Sequence, residues 1–348
     1  LLDYSEPGHV KLDMQAYVKK VLEEMPEEFD GTATSPAADY LFQIIDGIPL
    51  LDDAKSEFFH ATVAKLLFLC KRGRPDIQTA IAFLCTRVQN PTQHDYNKLS
   101  RVIKYLRHSK HLVLRLGADN LNIIKWWTDA SYAVHHDMRS HTGGVMSMGT
   151  GAATSSSRKQ KLNTKSSTEA ELVGASDYLP YSIWAKKFME RQGHVLKENR
   201  FYQDNLSTIR FEKNGRKSCG PNSRHIDIRY FWIKDRLDLD SFDITYCPTL
   251  QMLADFFTKP LQGSLFRKLR DVVMGHKHVS TLKEELTLAP SQERVAGGIL
   301  LGKSGNGPNG RTTDEINQQP SVRVRKTVTY ADAVRRRPQG QMRGPRRQ

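Results

Sequence analysis

Four acidic stretches hold the residue types and spacings that could do chemistry in this chain. Trp126-Trp127-Thr128-Asp129-Ala130-Ser131 delivers a carboxylate from an apolar, β-branched run, residues 121–127, that reads as a buried strand. Thr168-Glu169-Ala170-Glu171-Leu172 opens a helix-like stretch, and Tyr202-Gln203-Asp204-Asn205 follows a strand-like one. Leu253-Ala254-Asp255-Phe256-Phe257-Thr258-Lys259-Pro260 opens a further helical turn. An all-carboxylate set offers hard oxygen donors, which suit Mg²⁺ or Mn²⁺ and not Zn²⁺. Taken singly, each acid is also what a turn or a helix cap uses.

Three other groups invite a chemical reading and are better explained otherwise. Asp52-Asp53 looks like a metal-holding aspartate pair, but Pro49 precedes it and a helix follows, so it reads as a helix cap. His135-His136-Asp137 reads as a solvated turn, because adjacent side chains on a loop rarely converge on an ion. Cys70, Cys85, Cys219 and Cys247 lie far apart with no C-x-x-C pair. That disfavours a zinc site or a disulfide framework and fits a reducing, intracellular setting.

The formal charge of +14 points to a polyanionic partner, most simply nucleic acid, unless a basic tail carries the excess. The apolar runs are too short to span a bilayer and no charged-then-apolar leader opens the chain, so no membrane partner is expected. The first residue is Leu, as in a fragment or a processed piece.

The elements that must position these acids follow from periodicity. Residues 13–25, 57–70, 76–88 and 92–107 read as helices, the second apolar on more than one face and therefore buried. From Asn122 the pattern changes to strands at 121–127, 141–148 and 153–161, and then to a helix from Thr168 that Pro180 is placed to kink. A strand at 201–203, helices at 206–213 and 226–237 and a strand at 242–247 complete the order before the turn at Asp255. Residues 282–288 read as a short helix and 297–348 as disordered, ending in an Arg-rich stretch suited to nucleic acid or nuclear import.

W-T-D-A-S, K-S-S-T-E-A-E-L, Y-Q-D-N, S-R-H-I-D-I-R-Y-F-W-I-K-D and L-A-D-F-F-T-K-P-L together resemble the ribonuclease H domain at the end of a Ty1/copia-type retrotransposon polyprotein. Upstream, V-K-L-D-M-Q-A-Y-V-K-K-V-L-E-E-M and E-F-F-H-A-T-V-A-K-L-L-F-L with R-G-R-P-D-I resemble the segment joining the polymerase palm to that domain. The likeness covers roughly residues 1–275. It implies an α/β fold: a ribonuclease H-like mixed five-stranded sheet with flanking helices at 116–275, a mostly helical thumb or connection segment at 1–115, and a basic tail at 276–348.

The resemblance implies a metal-dependent endoribonuclease that cuts the RNA strand of RNA/DNA hybrids, without polymerase chemistry, in a cytoplasmic virus-like particle or the nucleus. Its partners would be the hybrid and the upstream palm and fingers of the polyprotein. Two Mg²⁺ ions, or Mn²⁺, would be held by Asp129, Glu171, Asp204 and Asp255. Glu171 is preferred to Glu169, which stands about 200° away round the helix. Ser131, Ser166, Ser167, Thr168 and Asn205 are short polar groups suited to reading a 2′-hydroxyl, or to ordinary capping. Lys159, with Arg158, Lys161 and Lys165, is suited to phosphates, and His225 to a proton or phosphate contact. The rival expectation is a truncated, inactive remnant that only binds nucleic acid or serves as a structural module.

Overall fold

Short polar caps set where the helices start. In the computed structural model, which describes residues 1–214, 227–240 and 242–284, two strands come first, β1 (Leu2–Asp3) and β2 (His9–Leu12). Helix α1 (Gln15–Glu23) follows and buries Val18 and Val21. Asp52 then accepts from the Lys55 amide at 2.8 Å and opens α2 (Asp53–Arg72), so the aspartate pair is a cap. α2 is not buried all round, because Leu67 and Phe68 face outward at 40% and 47% exposure while Phe59, Val63, Leu66 and Leu69 are sealed.

The helix expected at 76–88 is shorter and begins differently. Pro75–Ile77 form a 3-10 turn, and α3 (Gln78–Cys85) starts after it. The turn is fixed by Asp76, whose carboxylate accepts from Arg74 Nε and Nη2 at 2.9 and 2.8 Å and from the Tyr105 hydroxyl at 2.6 Å. Helix α4 (Gln93–His108) carries a reciprocal cap between Thr92 and Asp95 and presents Leu99, Val102, Ile103 and Leu106 to the core.

β3 (Leu114–Ala118) pairs with β2, Leu12 opposite Leu114 and His9 opposite Gly117, and joins β1 and β6 (Gly149–Thr150) in a small sheet of order β1-β2-β3-β6. This sheet is absent from the helical reading of the first hundred residues. Four residues of strand whose partner lies about a hundred residues away leave too short an alternation to detect.

The larger sheet is mixed and five-stranded: β4 (Ile123–Ser131), β5 (His141–Ser147), β7 (Thr154–Lys159), β8 (Glu198–Gln203) and β9 (Asp243–Tyr246) in the order β7-β5-β4-β8-β9. β4 runs antiparallel to β5 and parallel to β8, and β8 is parallel to β9. Central strands covered on both faces need apolar residues at successive positions, which is what Trp126-Trp127 provide. Trp126 packs edge-on against Tyr178 of α5 (Ser167–Arg191), which continues through Pro180, at 5.7 Å between ring centroids. Trp127 points the other way and stacks on Tyr202 at 5.0 Å.

Each face has its own core. Ile124, Trp126, Leu172, Phe201, Ile209 and Ile233 unite α5, α6 (Leu206–Asn214) and α7 (Asp227–Asp240) with one face. On the other, Trp127, Val145 and Tyr202 share a core with α2, α3 and α4, with the 3-10 turn Leu253–Phe257 and with α8 (Gly263–Val273). The expected helical opening at Asp255 is that 3-10 turn, and the true helix starts beyond Pro260. The short helix expected at 282–288 begins at α9 (Thr281–Glu284), and its remainder lies outside the described residues. Of the basic tail expected at 276–348, residues 276–284 are described and pack against the fold, with Val279 and Leu282 buried; the rest lies outside the described residues.

Candidate active site

Asp129 sits within β4, which continues two residues past it instead of stopping at Trp127, and it is 3% exposed. Glu171 comes from the start of α5. There Ser166 accepts from the Glu169 amide at 3.2 Å, and Glu169 Oε2 accepts from the Lys165 amide at 2.7 Å. Glu169 is thereby turned back on the helix end, while Glu171, just over a half-turn round, is 6% exposed and joins Asp129. Asp204 follows β8 immediately. One carboxylate oxygen from each of Asp129, Glu171 and Asp204 lies within 4.8 Å of the others.

Asp255 stands beside this trio and is not one of it. Its Oδ1 accepts from Lys259 Nζ at 2.7 Å, and the same ammonium is 3.7 Å from Asp129 Oδ2. Thr258 donates its hydroxyl to Asp129 Oδ2. Gln203, fully buried, reaches Glu171 Oε2 with its amide at 3.5 Å and accepts the Asp204 amide at 2.9 Å.

Crowding buried acids makes their charged forms costly. Burial first, and then the charges of Asp129 and Asp204, push Glu171 well above the usual carboxylate range. Asp204 is raised by burial and by Asp129, against a hydrogen bond from Thr249. Burial and Asp129 carry Asp255 up to about 7, although Lys259 opposes them. Burial pulls the Lys259 ammonium down, but Asp129 and Asp255 outweigh it and hold the pKa above the lysine value. An all-oxygen and mutually repelling trio, with Asp129 and Glu171 buried and Asp204 half-buried, can hold a divalent cation, which would relieve the repulsion. The trio lines an open cleft of about 680 Å³ with Ser131, Asn205, Tyr246 and Lys259.

No family model matches the chain. Over 272 residues, 77% of its length, it is 28% identical to the Retrovirus-related Pol polyprotein from transposon TNT 1-94 of Nicotiana tabacum, of which it covers 20%. It is 25% identical over 264 residues, 75% of its length, to the corresponding polyprotein from transposon RE1 of Arabidopsis thaliana, covering 18% of that protein. Over 177 residues, half the chain, it is 29% identical to the Putative transposon Ty5-1 protein YCL074W of Saccharomyces cerevisiae, covering 56% of it. The chain is related to the Pol polyproteins of Ty1/copia-type retrotransposons. It spans about a fifth of the length of the two plant polyproteins.

In this Pol-related chain the remaining candidates divide. Ser131, whose hydroxyl donates to the Thr258 carbonyl at 3.2 Å, and Asn205 both face the cleft. Asn205 Oδ1 also accepts from the Ser207 and Thr208 amides at 3.0 and 3.2 Å, as a cap for α6 does. Ser166 caps α5, with Ser167 and Thr168 in its first turn. Lys159 is paired with Asp137 at 2.7 Å. His225 and Cys219 lie outside the described residues.

The His135-His136-Asp137 turn is solvated at His136 and Asp137, as expected, but sealed at His135. His135 is 3% exposed, its Nε2 stands 3.0 Å from His141 Nδ1, and His141 Nε2 stands 2.7 Å from Ser157 Oγ. His136 is exposed and apart from them, so the two histidines do not converge on an ion. Thr258, Lys259 and Gln203 were within the recognised motifs and not singled out. The four-residue step from Asp255 to Lys259 was the available signal for an acid–base contact.

Proposed function

We propose that the chain is the ribonuclease H-like part of a copia-type Pol polyprotein and cuts the RNA strand of RNA/DNA hybrids. The observation that carries this reading is the meeting of Asp129, Glu171 and Asp204 within 4.8 Å at the end of the central strand. In support, the mixed sheet order β7-β5-β4-β8-β9 flanked by helices is compatible with that fold. Residues 116–275 would be the nuclease domain and 1–115 a thumb or connection segment, meeting the palm and fingers encoded upstream.

Asp129, Glu171 and Asp204 would hold Mg²⁺ or Mn²⁺, with Asp255 alongside. When bound, two such ions make a water nucleophilic near neutral pH and stabilise the leaving 3′ oxygen. The protein's own part is to bind and orient. Ser131 and Asn205, short and polar at the cleft, would meet the hybrid's minor groove, where the 2′-hydroxyl distinguishes RNA from DNA. Lys259, 39% exposed at the same cleft, would face the phosphates. Thr258 fixes the Asp129 carboxylate and Gln203 the Glu171–Asp204 pair, so that these acids are set before substrate arrives.

The test is cleavage of a labelled RNA/DNA hybrid in Mg²⁺ by the chain and by its Asp204→Asn variant. Cutting by the first and little by the second is expected. Equal cutting by both would end the assignment, as would cutting of the DNA strand in preference to the RNA.

A further inference from the structure

Lys259 is the one cation of the described residues placed against both Asp129 and Asp255. Its Nζ is 2.7 Å from Asp255 Oδ1 and 3.7 Å from Asp129 Oδ2, so it occupies the space between the two carboxylates. A divalent ion bridging that pair would need the same space. Two positive centres at such range repel strongly in a partly buried site, and one must leave. The Asp129–Glu171–Asp204 trio is less obstructed: Lys259 stands 3.7 Å from Asp129, but among the described residues no lysine or arginine is in direct ion-pair contact with Glu171 or Asp204.

The lysine also has somewhere to go. Its side chain lines the carboxylate cleft and, on its other side, a groove of about 620 Å³ bordered by Phe42, Val134, His135, Met138 and Pro260. With 39% of the side chain exposed, the stem can swing between the two while its backbone stays fixed by the Lys259 amide's bond to the Asp255 carbonyl at 3.0 Å. A phosphate entering the cleft would offer the ammonium a new partner and draw it off Asp255.

We infer that Lys259 is a built-in counter-cation: unaided, the chain binds one divalent ion on Asp129, Glu171 and Asp204, and a second enters only when the lysine leaves Asp255. This rests on the ribonuclease reading and deepens it. Lys259 is on this account a positioning residue that orders the loading of the site and ties its completion to the arrival of a phosphate strand.

The experiment is Mn²⁺ binding to the full chain, followed by the electron paramagnetic resonance of the free ion, for wild type and for Lys259→Met, Lys259→Gln and Lys259→Arg. Circular dichroism of each variant confirms its fold. Wild type should bind one Mn²⁺ and take a second at least about 10-fold more weakly. Lys259→Met and Lys259→Gln should tighten the second by about 10-fold or more, and Lys259→Arg should behave as wild type. Two equivalent ions in wild type, or a second ion indifferent to Lys259, overturns the counter-cation and leaves the nuclease reading standing. Failure of wild type to bind any Mn²⁺, with Asp129→Asn no different, overturns both.

Discussion

Gly143 and Thr258 meet across one face of the large sheet so closely that a Cβ placed on the glycine would stand 2.6 Å from Thr258 Cγ2, and 2.9 Å from the Ala254 carbonyl oxygen. Gly143 is paired with Asp129 in the β4–β5 ladder, so the missing side chain is what lets the 3-10 turn approach the carboxylate. Its neighbour Gly144 faces the opposite way, where a Cβ would lie 2.5 Å from the Tyr178 ring. Two adjacent glycines thus admit two different elements.

This pair makes a separable prediction. Gly143→Ala and Gly144→Ala should each cost about 1–3 kcal/mol of stability through overpacking. Only Gly143→Ala should also impair hybrid cleavage at a temperature where both variants are folded, because it displaces the turn carrying Asp255, Thr258 and Lys259. Urea melts and the cleavage assay compare them; equal activity in the two variants contradicts this account.

Gln203→Leu removes the acceptor of the Asp204 and Asn205 amides, the latter at 3.3 Å, at a fully buried position. Leaving those amides unpaired should cost about 1–3 kcal/mol. The turn that presents Asp204 should loosen with it, so the first Mn²⁺ is expected to bind more weakly. Calorimetry reads the affinity and thermal melting the stability, and an unchanged ion affinity would reduce Gln203 to a packing residue.

Without a divalent ion the folded chain holds protons on Glu171, Asp204 and Asp255 that the unfolded chain releases at about pH 4. Stability should therefore fall as pH rises from about 4 through about 7, where Asp255 ionises. Glu212, buried on α6 and raised to about 8, adds a decline of the same sign. Added Mg²⁺ binds the ionised acids, so its stabilising effect should grow with pH. Melting temperatures from pH 5 to 8, in chelator and in Mg²⁺, test this: the chelator curve should slope downward, and less steeply in Asp255→Asn. A Mg²⁺ effect equal at both ends of the range would be incompatible with it.

The buried histidines act in the reverse sense. Burial and then Lys159 carry His135 down to about 4, and burial and then His135 carry His141 down to about 3. The folded chain refuses protons that the unfolded chain takes up below about pH 6.5, so this contribution is complete above that value and is lost as pH falls toward 3–4. Between pH 7 and pH 5 the raised acids favour the fold and the histidines oppose them, so wild type should gain less stability in urea than His141→Gln. Parallel changes in the two proteins would refute it.

Elements built on strong local signals were legible in the sequence. The apolar stripe of α4, the acidic cap of α2 and the doubled tryptophan of β4 each state their structure within a few residues. The small sheet was not legible, because Leu12 and Leu114 pair across about a hundred residues of mostly helical chain and the strands are too short to show an alternation. Nor was α8, which Pro260 separates from the turn at Asp255. At the site, spacing along the chain says nothing of convergence; the grouping of the acids came from family likeness, and the fold brings together Asp129, Glu171 and Asp204 while pairing Asp255 with Lys259. His135 was misjudged because its shelter comes from Phe42 and Phe83, far away in sequence.

Thr79 of α3 donates to the Phe256 carbonyl at 2.8 Å, and Phe256 and Phe257 lie in the same core as Tyr105 and Phe266. The turn that bears Asp255, Thr258 and Lys259 is therefore seated on the amino-terminal helices. A protein trimmed to start at β4 would lose that seat and wet two phenylalanines, so excising the sheet as a free-standing module defeats itself.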